Sequence, residues 1–287
     1  MPELPEVEIA ARQLRAGLSG RAVSVVWAAQ GPPLRCPTDE LIAFEGQSVL
    51  EVHRVGKQLA ITFTGDVGLL LHLGMSGRIR STGAGASMAF PLPHERLRLE
   101  LVDSSHVSLH DVRRLGRVRV VRGGSVFETP EWRRLGQDAL ELTETPELFR
   151  ERLCRDRRPI KVALLDQSLV AGIGNIYASE GLHRAGIHPR ESTRKLQSGA
   201  LCRLAVAVGE AMQATLTHEP GAEITYLSEH PKSTNPFLVY AREGQPCFAC
   251  EATIERFVQA GRSTFMCPRC QPFGEESTEA LRSWNQP

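Results

Sequence analysis

Near the C-terminal end, Cys247 and Cys250 are followed, after sixteen intervening residues, by Cys267 and Cys270. A C-x2-C…C-x2-C pattern has zinc-site spacing. Thiolates from all four complete a tetrahedral shell and leave no position for a reactive water, so the metal expected is one structural zinc ion. Between the pairs lie TIERFV and STFM, two strand-like runs joined through QAGR, which predicts a zinc-bound β-hairpin with Arg262 beside Gly261 at its turn. An Arg on a rigid tip suits a phosphate, whereas an Arg in an ordinary turn is simply solvated. Cys36, Cys154 and Cys202 stand apart and read as small buried apolar residues. An odd total of seven cysteines, in a chain that opens without a basic-then-apolar leader, argues against a disulfide framework.

The other end of the chain, MPELPEVE, offers a different chemistry. A small residue after the initiator permits removal of Met1, which would give Pro2 a free secondary amine. An α-amino group titrates near pH ~8 rather than the ~10.4 of lysine, so a useful fraction is nucleophilic at neutral pH. Amines that attack carbon centres form Schiff bases. The eight residues alone favour a frayed terminus, where proline and charge are common.

Several other stretches could bind an anion. LVAGIGNIYASE places Gly172, Gly174 and Asn175 before a helix, whose N-terminal amides favour negative charge; Asn175 is also a good N-cap. No strand precedes these glycines, so a dinucleotide-binding reading fails. Upstream, in RDRRPIK, Arg157 and Lys161 extend such a site or form a solvated face. Lys57, in RVGKQLAI, sits between two β-type segments. HLGMSGR pairs His72 and Met75 with glycines and Arg78, and HDVRRLGR brings Arg113 and Arg114 next to Leu115. Met75 and Leu115 suit apolar wedges that unstack bases, or are ordinary packing residues.

These residues need elements to position them. The chain has 287 residues, enough for two domains, with ordinary hydrophobic (41%) and charged (23%) content. No apolar run approaches the ~20 residues of a membrane span, so a cytoplasmic protein is expected. A net charge of +1 means that any nucleic-acid surface must concentrate its basic residues on one face. Residues 3–18 have helical periodicity, with Val7, Ala10, Ala11, Leu14 and Leu18 on one side. To about residue 122 the period becomes two: RAVSVVWAA, QSVLEVHRV, QLAITFTG, VGLLLHLG, RLRLELVD, HVSLHDV and GRVRVV are strand candidates of a sandwich or barrel, interrupted by a mobile loop at STGAGASMAF. Thr-Pro-Glu recurs at two helix starts, in FETPEW and ETPELFRERL, and residues 150–220 read as helical. A boundary falls near residue 130.

Together the motifs resemble the formamidopyrimidine-DNA glycosylase/endonuclease VIII family of DNA repair enzymes. MPELPEVE, HLGMSGR, KVALLDQSLVAGIGNIYASEGLHRAGIHP and GRSTFMCPRCQ match in order from residue 1 to about 271, and the opening PELPEVE looks like the formamidopyrimidine branch. The resemblance implies an α+β multidomain fold. An N-terminal β-sandwich with a flanking helix (residues 1–130) precedes a helix–two-turn–helix domain (131–225). A lesion-capping or linker segment (226–240), a β-hairpin zinc finger (241–275) and a tail (276–287) follow. It implies Pro2 as the Schiff-base nucleophile on the deoxyribose anomeric carbon, Glu3 as the acid that protonates the opening sugar, Glu6 as a further acid, and Lys57 on the lesion phosphate. Arg262 is grouped with these catalytic residues and would grip the backbone with His94, Arg114, Arg157, Lys161 and Asn175. Met75, Arg113 and Leu115 would fill the void left by the flipped base, and His72 joins the DNA-binding set. The implied reaction is base excision with β,δ-elimination, by a monomer acting on double-stranded DNA with damaged bases or abasic sites, in the bacterial cytoplasm at the nucleoid.

A buried base must be extruded before its glycosidic carbon can be attacked, which is why wedges and phosphate clamps accompany the nucleophile. Two departures bear on substrate. Leu115 stands where the family commonly has Phe, and Gly221–Tyr240 looks shorter than the cap of 8-oxoguanine-recognising members. The same chemistry on oxidised pyrimidines, and a non-catalytic damaged-DNA-binding protein, are the alternative readings.

Overall fold

The structure, a computed structural model, describes residues 2–34, 38–84, 90–218 and 235–274. They form two compact units, the first ending at Arg134 and the second beginning at Leu135.

In the first unit, helix α1 spans Leu4–Leu18 and opens on a capping box in which the side chains of Glu3 and Glu6 each accept from the other's backbone N–H. Its predicted apolar stripe is buried throughout. Strands β1 (Val23–Ala28), β2 (Val49–Val55), β3 (Gln58–Phe63), β4 (Val67–His72), β5 (Gly77–Thr82), β6 (Glu95–Leu101), β7 (His106–Asp111) and β8 (Arg117–Arg122) follow. They pair into antiparallel sheets ordered β1-β6-β7-β5 and β2-β3-β4-β8. Alternation predicts all of these strands but β5, where Ile79 is the one buried apolar side chain and the preceding glycines read as a turn.

Leu59, Ile61, Leu69 and Leu71 of one sheet and Leu97, Leu99, Val107 and Leu109 of the other belong to a single core. Each such side chain contributes roughly 1.5–3 kcal/mol by leaving water. Helix α1 packs against β2 in one sheet and β5 and β7 in the other, so the helix that follows Pro2 is fixed to the sandwich. On the outer face of β2-β3-β4-β8, Ala60, Leu70 and Val126 form a small satellite core beneath α2 (Pro130–Arg133).

In the second unit, β9 (Gln137–Asp138) pairs in parallel with β10 (Val170–Ala171). Helices α3 (Pro146–Leu153), α4 (Ile160–Leu164), α5 (Asn175–Arg184) and α6 (Ser198–His218) surround this pair. Thr129 and Thr145 take the N-caps of α2 and α3, as the Thr-Pro-Glu signatures predict. Gly181 lets α5 approach α6, since a Cβ there would come within 2.3 Å of Val208 Cγ2. Strands β11 (Glu255–Gln259) and β12 (Arg262–Met266) form the predicted hairpin. Its loop is tighter than QAGR suggests: only Ala260 and Gly261 lie between the strands, at φ +48° and +73°, as a type I′ turn requires.

Cys154 corrects an expectation. It is exposed at the C-cap of α3, because that helix buries Phe149 and Leu153 and turns its last residues to solvent. Cys202 is half-buried, and Cys36 lies outside the described residues. Also outside them are 85–89 of the predicted mobile loop, 219–234, which takes in most of the predicted capping segment, and the tail from 275. No described helix is long and apolar enough to cross a membrane.

Candidate active site and nucleic-acid interface

Pro2 stands directly before the capping box, so the residues that start α1 are also those expected to do chemistry. Glu3 is 2% exposed. Its N–H donates to Glu6 Oε2 at 3.0 Å, while Glu6 Oε1 is buried without a hydrogen-bond partner among the described residues. Burial, reinforced by the Glu3 carboxylate, pushes the Glu6 carboxyl up to about 7. A carboxyl poised near neutrality beside an amine can hold or release a proton at working pH.

A chain of contacts ties this end of α1 to Lys57. Glu8 Oε2 accepts from Arg54 Nε at 2.6 Å, and Arg54 Nη1 donates to Gly56 O at 3.3 Å, next to Lys57 in the turn between β2 and β3. Arg15 Nε adds a bond to Val52 O at 3.1 Å. Burial works against the Glu8 carboxylate, but the hydrogen bond and charge of Arg54 outweigh it and hold the pKa below the ordinary value. Lys57 itself is largely buried. Burial, with the charges of Lys57 and Arg117, pushes His72 down to about 4, so its ring is neutral; Nδ1 accepts from Gly74 N–H at 3.0 Å. Glu8 closes the quoted MPELPEVE, but its pairing with Arg54 escaped the sequence reading because the two stand 46 residues apart.

The two wedge segments meet. Met75 and Leu115 are 42% and 46% exposed, and Arg113 and Arg114 are exposed beside them. Gly74, at φ +64°, is required where these turns touch: a Cβ would lie 2.5 Å from the Leu115 carbonyl. Buried Asp111 joins the turns. Its Oδ1 accepts from Ser76 Oγ and its Oδ2 from Gly116 N at 2.7 Å, while Arg113 N donates to Ser76 Oγ at 3.0 Å. His94 is exposed at the base of this group, with φ +62° and its carbonyl accepting from Asp111 N at 2.9 Å.

In the second unit, Gly174 takes the N-cap of α5 and Asn175 is the first helical residue, which corrects its expected capping role. Freed from capping, the Asn175 side chain donates from Nδ2 to Ser263 O at 2.8 Å and accepts from Lys161 Nζ at 2.8 Å. Lys161 is 1% exposed and also donates to Ser263 O and Thr264 Oγ1, at 3.1 and 2.7 Å. Its ammonium therefore braces α4, α5 and the hairpin against one another, in place of the solvated face that RDRRPIK suggested. Gln167 holds the glycine turn by donating to Ile173 O and accepting from Gly172 N, both at 2.9 Å. Arg157 and Arg262 are exposed, Arg262 as the first residue of β12. Glu180 of α5 accepts from the N–H groups of Leu238, Val239 and Tyr240, anchoring the chain where it enters the finger.

The sulfurs of Cys247, Cys250, Cys267 and Cys270 lie within 4.8 Å of one another. Tetrahedral zinc with Zn–S bonds near 2.3 Å requires S···S separations of about 3.8 Å, close to this spacing. Burial pushes the Cys267 and Cys270 thiols up, so in the absence of a cation they resist ionising. The residues fit one structural zinc ion, as their sequence spacing predicts. His183 Nε2 lies 3.6 Å from Cys247 Sγ and links the cluster to α5.

Comparison with known proteins agrees with this division. Family models match for the formamidopyrimidine-DNA glycosylase N-terminal domain over residues 1–118, the formamidopyrimidine-DNA glycosylase H2TH domain over 135–225, and a zinc finger found in FPG and IleRS over 244–272. The chain is 40% identical to the formamidopyrimidine-DNA glycosylase of Gluconobacter oxydans, covering 94% of this chain and all of that protein. It is also 40% identical to that of Thermus thermophilus, covering 96% and all of it. The crystal structure of the Thermus thermophilus MutM (FPG) protein superposes with a TM-score of 0.77 at 38% identity, over 95% of this chain and all of that one. Lactococcus lactis formamidopyrimidine-DNA glycosylase bound to abasic-site DNA gives 0.80 at 29% identity, over 95% and all of it.

Proposed function

The chain belongs to the formamidopyrimidine-DNA glycosylase family, and from that premise we propose how its own residues carry out base excision. It is a DNA glycosylase of base excision repair with abasic-site lyase activity, it acts on double-stranded DNA holding damaged bases or abasic sites, and it carries one structural zinc ion. With Met1 removed, the Pro2 amine attacks the anomeric carbon of an extruded nucleotide. The C–N bond to the damaged base breaks, Glu3 protonates the ring oxygen as the sugar opens, and a Schiff base joins Pro2 to the former anomeric carbon. Loss of the phosphates on either side by β- and then δ-elimination cuts the strand, and hydrolysis frees Pro2. Glu6, poised near neutrality, is the proton reservoir behind this pair.

Lys57 holds the phosphate at the lesion, and His72 contacts the same strand beside it. Met75, Arg113 and Leu115 occupy the void, and His94 and Arg114 steady the backbone beside it. Asn175, Arg157 and Arg262 grip the strand from the second unit, with Lys161 as the brace that aims Asn175 and the hairpin. The preferred substrates are oxidised purines, formamidopyrimidines foremost. The enzyme works as a monomer in the bacterial cytoplasm, at the nucleoid.

One observation carries this reading: Pro2, whose secondary amine removal of Met1 would free, stands just ahead of a fixed helix, next to the buried Glu3 and to Glu6, whose carboxyl is pushed up to about 7. The test is strand cleavage of duplexes holding a formamidopyrimidine, 8-oxoguanine opposite cytosine, an oxidised cytosine or an abasic site. Cleavage at purine lesions, leaving phosphate on both ends of the gap, is expected. Cleavage only at the pyrimidine would move the substrate to the endonuclease VIII side, and inertness on all four, abasic site included, would leave a damaged-DNA-binding protein.

A further inference from the structure

A cavity of about 450 Å³ opens on the outer face of the sheet β2-β3-β4-β8, lined by Gln58, Leu70, His72, Arg117, Arg119 and Glu131. Strand register explains its chemistry. Gln58 lies opposite His72, and His72 opposite Arg117, so these polar side chains form one row across β3, β4 and β8. Ala60, Leu70 and Arg119 make the next row on the same face. Leu70 gives the cavity an apolar floor, shared with the satellite core.

Charge in the cavity is uneven. Arg119 Nη1 reaches both carboxylate oxygens of Glu131 at 2.6 Å, so that wall is locally compensated. Arg117 is exposed and has no carboxylate partner among the described residues. His72 has its Nδ1 occupied by Gly74 N–H, which leaves Nε2–H as the donor of the neutral ring. Burial, and after it the charges of Lys57 and Arg117, push its pKa down to about 4, so the ring is neutral beside two cations. The polar row therefore offers an amide, an imidazole N–H and a guanidinium fork, a donor set that fits an oxyanion.

Lys57 lies in the turn just before Gln58 and its charge acts on His72, so the residue assigned to the lesion phosphate stands beside the row. Two strand spacings make the row about 9.5 Å long. Phosphates of one DNA strand advance about 3.4 Å along the helix axis per nucleotide, so a backbone held at Lys57 carries a neighbouring phosphate past the row.

We infer that this cavity seats an internucleotide phosphate of the damaged strand beyond the one held at Lys57, with Arg117 as its clamp and Gln58 and His72 as neutral donors. The inference rests on the DNA-repair reading above and adds a contact that reading does not contain. Arg117 is thus a positioning residue for the duplex and takes no part in bond breaking.

The test is fluorescence anisotropy of the full-length, zinc-loaded protein on a duplex with an uncleavable abasic-site analogue, across a salt series. Arg117→Ala is expected to weaken binding and to lower the slope of log K against log salt by about 0.9, the signature of one lost phosphate contact. Arg117→Lys should keep the slope and lose part of the affinity, because the charge survives and the fork does not. Gln58→Ala should lower affinity with the slope unchanged. Neutral methylphosphonates scanned along the damaged strand should reveal one position that weakens wild type but is silent in Arg117→Ala. Wild-type slope and affinity in Arg117→Ala, or a scan that costs the variant as much as wild type at every position, would overturn the assignment. So would Arg117-dependent binding of a free mononucleotide with duplex binding untouched, which would give the cavity to a free phosphate ester. Wild-type protein that bound no damaged duplex would overturn the repair reading itself, and this seat with it.

Discussion

Glu6 shows how one buried carboxyl ties chemistry to stability. Its pKa rises from the ordinary 4.5 to about 7, which corresponds to about 3 kcal/mol between its two protonation states. Because the folded value is the higher one, this contribution is fully present below pH 4.5 and is lost as pH climbs through 7. Glu6→Gln should therefore melt close to wild type at pH 5 and above it at pH 8, a widening gap that thermal denaturation at a series of pH values would measure. Lys161 makes the opposite case. Lys161→Met leaves Asn175 Oδ1 and Thr264 Oγ1 without the ammonium, while Ser263 O keeps Asn175 Nδ2, and should cost about 2–4 kcal/mol in urea unfolding, with DNA affinity falling as in Asn175→Ala. Pro2 and Glu3 were singled out through the family resemblance, since MPELPEVE by itself reads as a frayed terminus. The brace at Lys161 was not legible, since its hairpin partners lie 102 and 103 residues away and nothing local marks the pairing.

At the scale of elements, the structure uses turns as tools and joins them by single polar side chains. Asp111 bonds both the Met75 turn and the turn bearing Arg113 and Leu115, so the wedge acts as one object. Asp111→Asn removes one acceptor and should slow excision of a paired lesion by about ten- to a hundredfold, while lyase cleavage of an abasic site, where no base must be extruded, changes less. Single-turnover rates on the two substrates would separate them. The zinc hairpin depends on its metal for folding, because binding free energy in so small a site is largely folding free energy. Chelation should unfold β11 and β12, and with them release Lys161 and Asn175 from Ser263, which circular dichroism and DNA affinity would register together. Period-two alternation revealed the sandwich strands, and cysteine spacing revealed the finger. Strand β5 stayed hidden because one buried Ile among arginines carries too little pattern, and the Glu8–Arg54 link because its partners stand 46 residues apart.

Taken whole, the molecule reconciles a net charge of +1 with a polyanionic substrate by placement. Glu8, Asp156, Asp166 and Glu131 are engaged by nearby arginines, whereas Arg113 and Arg114 stand exposed beside Leu115, Arg157 between α3 and α4, and Arg262 at the hairpin tip. Composition alone could not show this, because a sum of charges carries no position. The change of period near residue 122 and the Thr-Pro-Glu helix starts led to an expected boundary near residue 130, and the compact units divide at Arg134. The account stands on the claim that the first amine of the processed chain is the nucleophile. The measurement that tests it most directly is borohydride reduction on a formamidopyrimidine duplex, followed by mass spectrometry of the proteolysed adduct. The account predicts a sugar remnant on the α-amine of Pro2 in the N-terminal peptide. A remnant on a lysine side chain, or cleavage of the strand with no trapped adduct, would contradict it.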